Sequence, residues 1–185
     1  MKLRISAMLL LLMVIPAFAQ QTRAGADKND TNPPKSLDQS DKKFLKNAAI
    51  DNVAETEMGQ LAQQKASSTE VKQFGARMVK DHSAANDRLK TLAAAEHVAL
   101  PTELDAKHKD EKASLSKLTG KEFEKAYMTL MVQDHTKAVQ KFQKEASSDS
   151  AKSVQQFAKT TLPTLQEHLK QAKSIEGQVQ NMAGR

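Results

Sequence analysis

Two near-copies of one pentapeptide, Met78-Val79-Lys80-Asp81-His82 and Met131-Val132-Gln133-Asp134-His135, each set a histidine on the apolar stripe of a long helical pattern. Residues at i−4, i+3 and i+7 share a helix face. For His82 these are Met78, Ala85 and Leu89, and for His135 they are Met131, Ala138 and Phe142. His168 has Leu165 and Ala172 on its own face. Three of the five histidines therefore face inward, and the fold must supply partners for polar rings inside an apolar core.

The rest of the pattern is helical as well. From Leu37 to Ala66, Phe44, Ala48, Met58 and Ala62 follow one face, with Ile50, Val53 and Leu61 beside it. Ser67-Ser68-Thr69 caps a second long helix that runs to about Glu96 with Val71, Phe74, Met78, His82 and Leu89 on its stripe. Thr102 to Leu118 reads as a shorter crossover helix closed by Thr119-Gly120. A third long helix spans about Lys121 to Ala146, and a fourth follows Ser147-Ser148-Asp149-Ser150 and carries Val154, Phe157, Leu165 and Ile175. No alternating apolar run suggests a strand. Hairpin, crossover and hairpin describe an all-α, ferritin-like four-helix bundle with an additional short helix between helices two and three.

The first residues carry an address rather than a fold. Lys2 and Arg4 precede an apolar run from Ile5 to Ile15, and Ala17-Phe18-Ala19 offers a small-x-small cleavage pattern, so residues 1–19 read as a signal peptide. The run is shorter than the roughly 20 residues a bilayer requires. No cysteine follows it, which removes lipid attachment through a lipobox cysteine, disulfides and thiolate metal sites. The expected location is the periplasm. Residues 20–36, with Pro33-Pro34 and no apolar period, read as a disordered leader, and residues 37–180 as the bundle domain. Without Lys2 and Arg4, 26 basic side chains face 22 acidic ones, and both signs are interspersed along the helices. With no tryptophan and one tyrosine, the chain has neither the basic patch nor the stacking platform of a nucleic-acid binder.

Helix rise brings the inward polar residues to comparable heights. Counted from the Ser67-Ser68 turn, Glu55 and His82 lie roughly 18 and 21 Å along their helices at 1.5 Å per residue. The same count leaves His168 about 7 Å out of level with His135. Neutral imidazoles with a carboxylate suit Zn, Fe, Mn or Cu, so Glu55, His82, His135 and His168 form the candidate metal set. The Glu-x-x-His pairs of a di-iron bundle are not met, since Val79 and Leu165 precede His82 and His168 by three. The alternative is a purely structural network in which the histidines bond Glu55, Glu57 or one another. Asp81, Asp134 and Glu167 read as solvated acids, Met58, Met78 and Met131 as core filler, and His97 and His108 as surface residues. No phosphate loop, nucleophile elbow or His-Glu-x-x-His helix appears, which favours a non-catalytic protein.

These residues also carry a resemblance. Glu55-Thr56-Glu57-Met58-Gly59-Gln60-Leu61-Ala62, Val71-Lys72-Gln73-Phe74 leading to Met78-Val79-Lys80-Asp81-His82, Leu100-Pro101, Gly120-Lys121-Glu122-Phe123 with Tyr127 and His135, and Leu162-Pro163-Thr164-Leu165-Gln166-Glu167-His168-Leu169 stand in this sequence. Through them, from about Asp41 to Ile175, the chain resembles the bacterial domain of unknown function 4142, an exported ferritin-like family. Glu124 stands where that pattern usually has Asp, and His97 where a Gly commonly ends the second helix. The resemblance implies the ferritin-like fold and an envelope location, marks Glu55, His82, His135 and His168, and implies no activity. Two functions follow as expectations: an exported metal-binding bundle in metal or stress handling, or an envelope module whose surface binds a protein or membrane partner.

The leader lacks any core-facing pattern, so limited proteolysis should strip it and leave a fragment beginning near Leu37. A protected fragment beginning at Gln20 would contradict this.

Overall fold

The computed structural model describes residues 35–183. The expected signal peptide and the expected leader as far as residue 34 lie outside the described residues. Five helices follow one another: α1 Gln39–Lys65, α2 Thr69–Ala95, α3 Ala106–Ser116, α4 Gly120–Ala146 and α5 Lys152–Ala183. Among the described residues there is no strand, and no helix is long and apolar enough to cross a membrane. The α1–α2 hairpin packs beside the α4–α5 hairpin, α1 along α4 and α2 along α5, and α3 bridges α1 and α4. This is the expected all-α four-helix bundle with its crossover helix.

The helix starts are fixed by short polar side chains. Asp38 accepts from the Asp41 amide at 2.9 Å, while Asp41 accepts from the Asp38 amide at 3.1 Å, a reciprocal capping box. Ser68 caps α2 and Asp105 caps α3. Two buried carboxylates also cap across the bundle. Asp41 accepts from the Ala151 amide that leads into α5 at 3.4 Å. Glu124, near the start of α4, accepts from the Ser67 and Ser68 amides at 2.6 and 2.5 Å. The first helix of each hairpin thus caps the chain entering the second helix of the other. The glutamate at position 124 has a definite job: it ties the α1–α2 turn to α4.

The repeated pentapeptide does not mark a duplicated hairpin. One copy lies on α2, the second helix of its hairpin, and the other on α4, the first helix of its own. What it marks is a level in the core. Buried apolar residues form two clusters, one around Met58, Phe74, Met78, Phe123, Tyr127 and Met131, the other around Phe44, Leu45, Leu89, Phe142, Phe157 and Leu165. The three methionines expected as filler all sit in the first. Between the clusters lies a buried polar layer of Asn52, Glu55, His82, His135, Thr161 and His168.

Helices α1 and α2 touch backbone to backbone where Gly59 meets Gly75. A Cβ on Gly59 would stand 2.6 Å from the Gly75 carbonyl oxygen, and a Cβ on Gly75 would stand 2.7 Å from the Gly59 oxygen. Beyond α2, His97 holds φ 54, the left-handed conformation that glycine adopts at no steric cost. His97 is exposed, as expected, but strained.

Gly75→Ala should therefore cost about 1–3 kcal/mol, because two helix backbones must separate. His97→Gly should gain about 0.5–1 kcal/mol by relieving the left-handed strain. Urea unfolding of both variants checks the two signs, and a shift of either midpoint in the opposite direction would refute the corresponding contact.

Candidate metal centre

His82 on α2, His135 on α4 and His168 on α5 meet in the polar layer. Their exposures are 5, 1 and 0%. Ring centroids are 5.6 Å apart for His82 and His135, and 5.3 Å for each pair with His168. One ring nitrogen from each lies within 4.8 Å of one from both others. The 7 Å offset expected for His168 is absent. It is absorbed between the His135 level and His168, a stretch that holds the five-residue connection 147–151 and Pro163 inside α5. Counting residues from a turn assumes equivalent helix starts and straight helices, and a five-residue connection and an internal proline are where such a count loses its level.

Each ring spends one nitrogen on the protein. His82 donates through Nδ1 to Asn52 Oδ1, His135 through Nδ1 to the Met131 carbonyl, and His168 through Nε2 to Asp81, all at 2.9 Å. These acceptors fix where the proton of each neutral ring resides. The other nitrogens, Nε2 of His82, Nε2 of His135 and Nδ1 of His168, are buried with no hydrogen-bond partner. Each therefore carries an unengaged lone pair inside the bundle.

Glu55 is buried, as expected, with Oε1 3.9 Å from His135 Nδ1 and Oε2 without a partner. That separation is too long for a hydrogen bond. Glu55 stands beside the group that the three histidines form and is not a member of it. Glu57 points away and accepts from Lys112 of α3 at 2.8 Å. Asp81 corrects its reading as a solvated acid: adjacent helix positions diverge by about 100°, and that angle aims Asp81 at His168 across the α2–α5 interface. Arg77 holds the same Asp81 oxygen at 3.3 Å and donates to Gln171 at 2.9 Å. Asp134 is half-buried and paired with Lys137 at 3.6 Å, whereas Glu167 is exposed as expected. His108 is also corrected, from surface to buried, because α3 turns it toward α1: it bonds Asp105 at 2.7 Å and lies 3.8 Å from Asp51.

Sequence reasoning passed over Asn52 and Thr161. Both had a readable signal: Asn52 lies three residues before Glu55 and Thr161 seven before His168, on the same inward stripes. A cleft of about 290 Å³ descends to the layer and is floored by Glu55, His82, His135 and Thr161. A smaller one of about 160 Å³ reaches His82 and His168.

Burial governs the charges. It pushes His82 well below the ordinary histidine range, with further lowering by the other two rings, and takes His135 down to about 4. His168 is lowered by burial too, against the upward pull of Asp81. Burial raises Glu55 well above the carboxylate range, and Asp134 and Asp51 add to it. For Asp81, burial acts upward, yet the hydrogen bonds from His168 and Arg77 outweigh it and hold the group low.

Depressed histidines contribute stability that is complete above their unfolded pKa and is lost as pH falls. The loss should begin near pH 6.5 and continue toward about 4, where His135 itself charges. Glu55 acts oppositely, since its raised pKa favours the fold at low pH. Three rings oppose one carboxyl, so the net effect should be destabilisation below about pH 6.5, at up to ~1.4 kcal/mol per group and pH unit. Urea midpoints from pH 8 to pH 4.5 test this for the metal-free protein. A midpoint that stays flat or rises on acidification would mean that the rings are charged in the fold.

No curated protein matches the chain. Among solved structures it is similar to a DUF305 fragment from Deinococcus radiodurans, at 12% identity and a TM-score of 0.69 over 78% of this chain and 99% of that one. It is also similar to a DUF305 protein from Streptomyces coelicolor, at 13% identity and a TM-score of 0.63 over 76% and 93% of the two chains. At such identities the likeness speaks for the helical bundle alone. Residues 26–175, which include every residue of the polar layer, match the family described as a domain of unknown function, DUF4142, and the chain belongs to that family.

Proposed function

We propose that this protein is an exported bundle that binds one transition-metal ion through His82, His135 and His168, with Glu55 as the adjacent carboxylate, and serves metal or stress handling in the periplasm. The observation that carries the reading is the set of three buried, unengaged ring nitrogens. An apolar core has no use for them: each costs about 1–3 kcal/mol when left unpaired. A metal ion accepts all three lone pairs at once. The opposite nitrogens are held by an amide, a backbone carbonyl and a carboxylate, the kind of outer contacts that orient ligating histidines and raise their basicity.

The spacing supports the same reading. Tetrahedral zinc with bonds near 2.1 Å would set its nitrogens about 3.4 Å apart. One ring nitrogen from each histidine lies within 4.8 Å of one from both others, so an inward movement of less than about 1 Å per ring would reach that spacing. Neutral imidazole suits Zn, Fe, Mn and Cu, and the absence of cysteine argues against a thiolate site. The apolar run and cleavage pattern at the start of the sequence support export. An envelope protein or membrane surface as partner belongs to the competing reading, in which the buried layer only holds helix register.

Metal analysis of untagged protein, exposed separately to Zn, Fe, Mn and Cu, should give one equivalent of at least one of them. Less than stoichiometric uptake of all four would overturn the proposal. His82→Ala should abolish metal-dependent stabilisation, which at about 100-fold excess over Kd is on the order of 2.7 kcal/mol. Lys80→Ala, on the exposed face of α2, should leave that stabilisation intact. A purely structural role predicts instead a loss of roughly 1–3 kcal/mol that is equal with and without metal.

A further inference from the structure

Three imidazoles leave a four-coordinate ion one ligand short. Two other buried polar atoms in the layer also lack partners, Glu55 Oε2 and Thr161 Oγ1. The threonine is the more telling. Helical threonines commonly bond the carbonyl four residues back, and Thr56, Thr91, Thr136 and Thr160 all do so here. Thr161, although buried at 4% exposure in the same helix as Thr160, does not. Its hydroxyl remains available beside the histidines. It lines the 290 Å³ cleft together with Glu55, His82 and His135, and also the second cleft with His82 and His168.

We infer that the layer holds a second, exogenous-ligand site: a small anion or water enters through the larger cleft, takes the remaining position on the metal, and hydrogen-bonds to Thr161 Oγ1 with Glu55 at its side. The inference rests on the metal-binding reading and deepens it. It makes the centre an exchanging or reactive one, not a sealed structural site. The ligand class follows from charge and size. A divalent ion held by neutral rings keeps its positive charge, which favours an anionic fourth ligand. Lys107, Lys137 and Lys141 line the cleft, and each is paired with an acid, at 2.9, 3.6 and 3.0 Å. The approach is therefore neither strongly basic nor strongly acidic, and the pull comes from the ion. A volume of about 290 Å³ lies at the lower limit for small-molecule sites, which admits a small ligand and leaves room for water beside it.

Cobalt(II) uptake, measured by visible absorption and metal analysis, followed by titration with sodium azide separates the possibilities. The expected result is stoichiometric cobalt and a saturable change in its visible bands. Thr161→Val should weaken azide roughly fivefold, the loss of one hydrogen bond, while cobalt affinity stays the same. Thr161→Ser should restore azide binding. The valine variant should also unfold at equal or higher urea without metal, since a buried unpaired hydroxyl is replaced by a methyl group. If cobalt does not bind, this inference is refuted, and the metal reading falls as well only if Zn, Fe, Mn and Cu are also not taken up. If cobalt binds stoichiometrically and azide leaves its spectrum unchanged, the metal reading stands and the open position is refuted. Equal azide affinity in parent and Thr161→Val would remove Thr161 from the site.

Discussion

Burying three neutral imidazoles at one level of a four-helix bundle is the constraint around which the rest of the structure is arranged. Each ring must lose water, and in the protein it recovers one hydrogen bond where water offered two. The apolar clusters above and below the layer supply the favourable burial that offsets this loss. They also determine the protonation state. With no water to solvate an imidazolium and two like groups within 5.6 Å, charging any one ring is unfavourable. Neutral rings with fixed tautomers follow from burial and from one hydrogen bond per ring.

The level itself is set elsewhere in the fold. Gly59 and Gly75 bring α1 and α2 into backbone contact and lock their axial register. In an antiparallel pair, moving seven residues away from that contact on each helix leads to the same height, at Asn52 on α1 and His82 on α2. Those two are hydrogen-bonded. The crossed carboxylate caps act in the same way between hairpins, Glu124 joining α4 to the start of α2 and Asp41 joining α1 to the start of α5. A shift along either hairpin would break a buried charge-assisted hydrogen bond and pull a ring out of the layer. Packing and site geometry are thus one set of contacts.

The environment of the rings is uneven in a way that bears on function. His168 is anchored by a carboxylate that Arg77 also holds, so its nitrogen lone pair is the one most enriched by its outer partner. His82 and His135 have neutral acceptors. Glu55 and Thr161 then supply polar atoms with no structural partner on the cleft side. In the proposed metal centre, that surplus is what distinguishes an open site from a closed structural one.

The sequence by itself determined the number and type of long helices, the inward direction of His82, His135, His168 and Glu55, and the order of hairpin, crossover and hairpin. These follow from the 3.6-residue period and from capping chemistry at Ser68 and the Ser147–Ser150 turn, both of which are local. Which inward residues touch was decided only by the tertiary structure. The partners of His82 and His168 lie 30 and 87 residues away, and their contacts depend on helix register and crossing geometry that no single stripe encodes. The same holds for Asp81, solvated by the logic of its own helix and bonded by the logic of its neighbour, and for His168, brought level by a hairpin whose two helices do not start alike. Side-chain direction along one helix is a local property. Convergence of four helices is set by where their backbones can approach, and here two glycines and two buried carboxylates decide that.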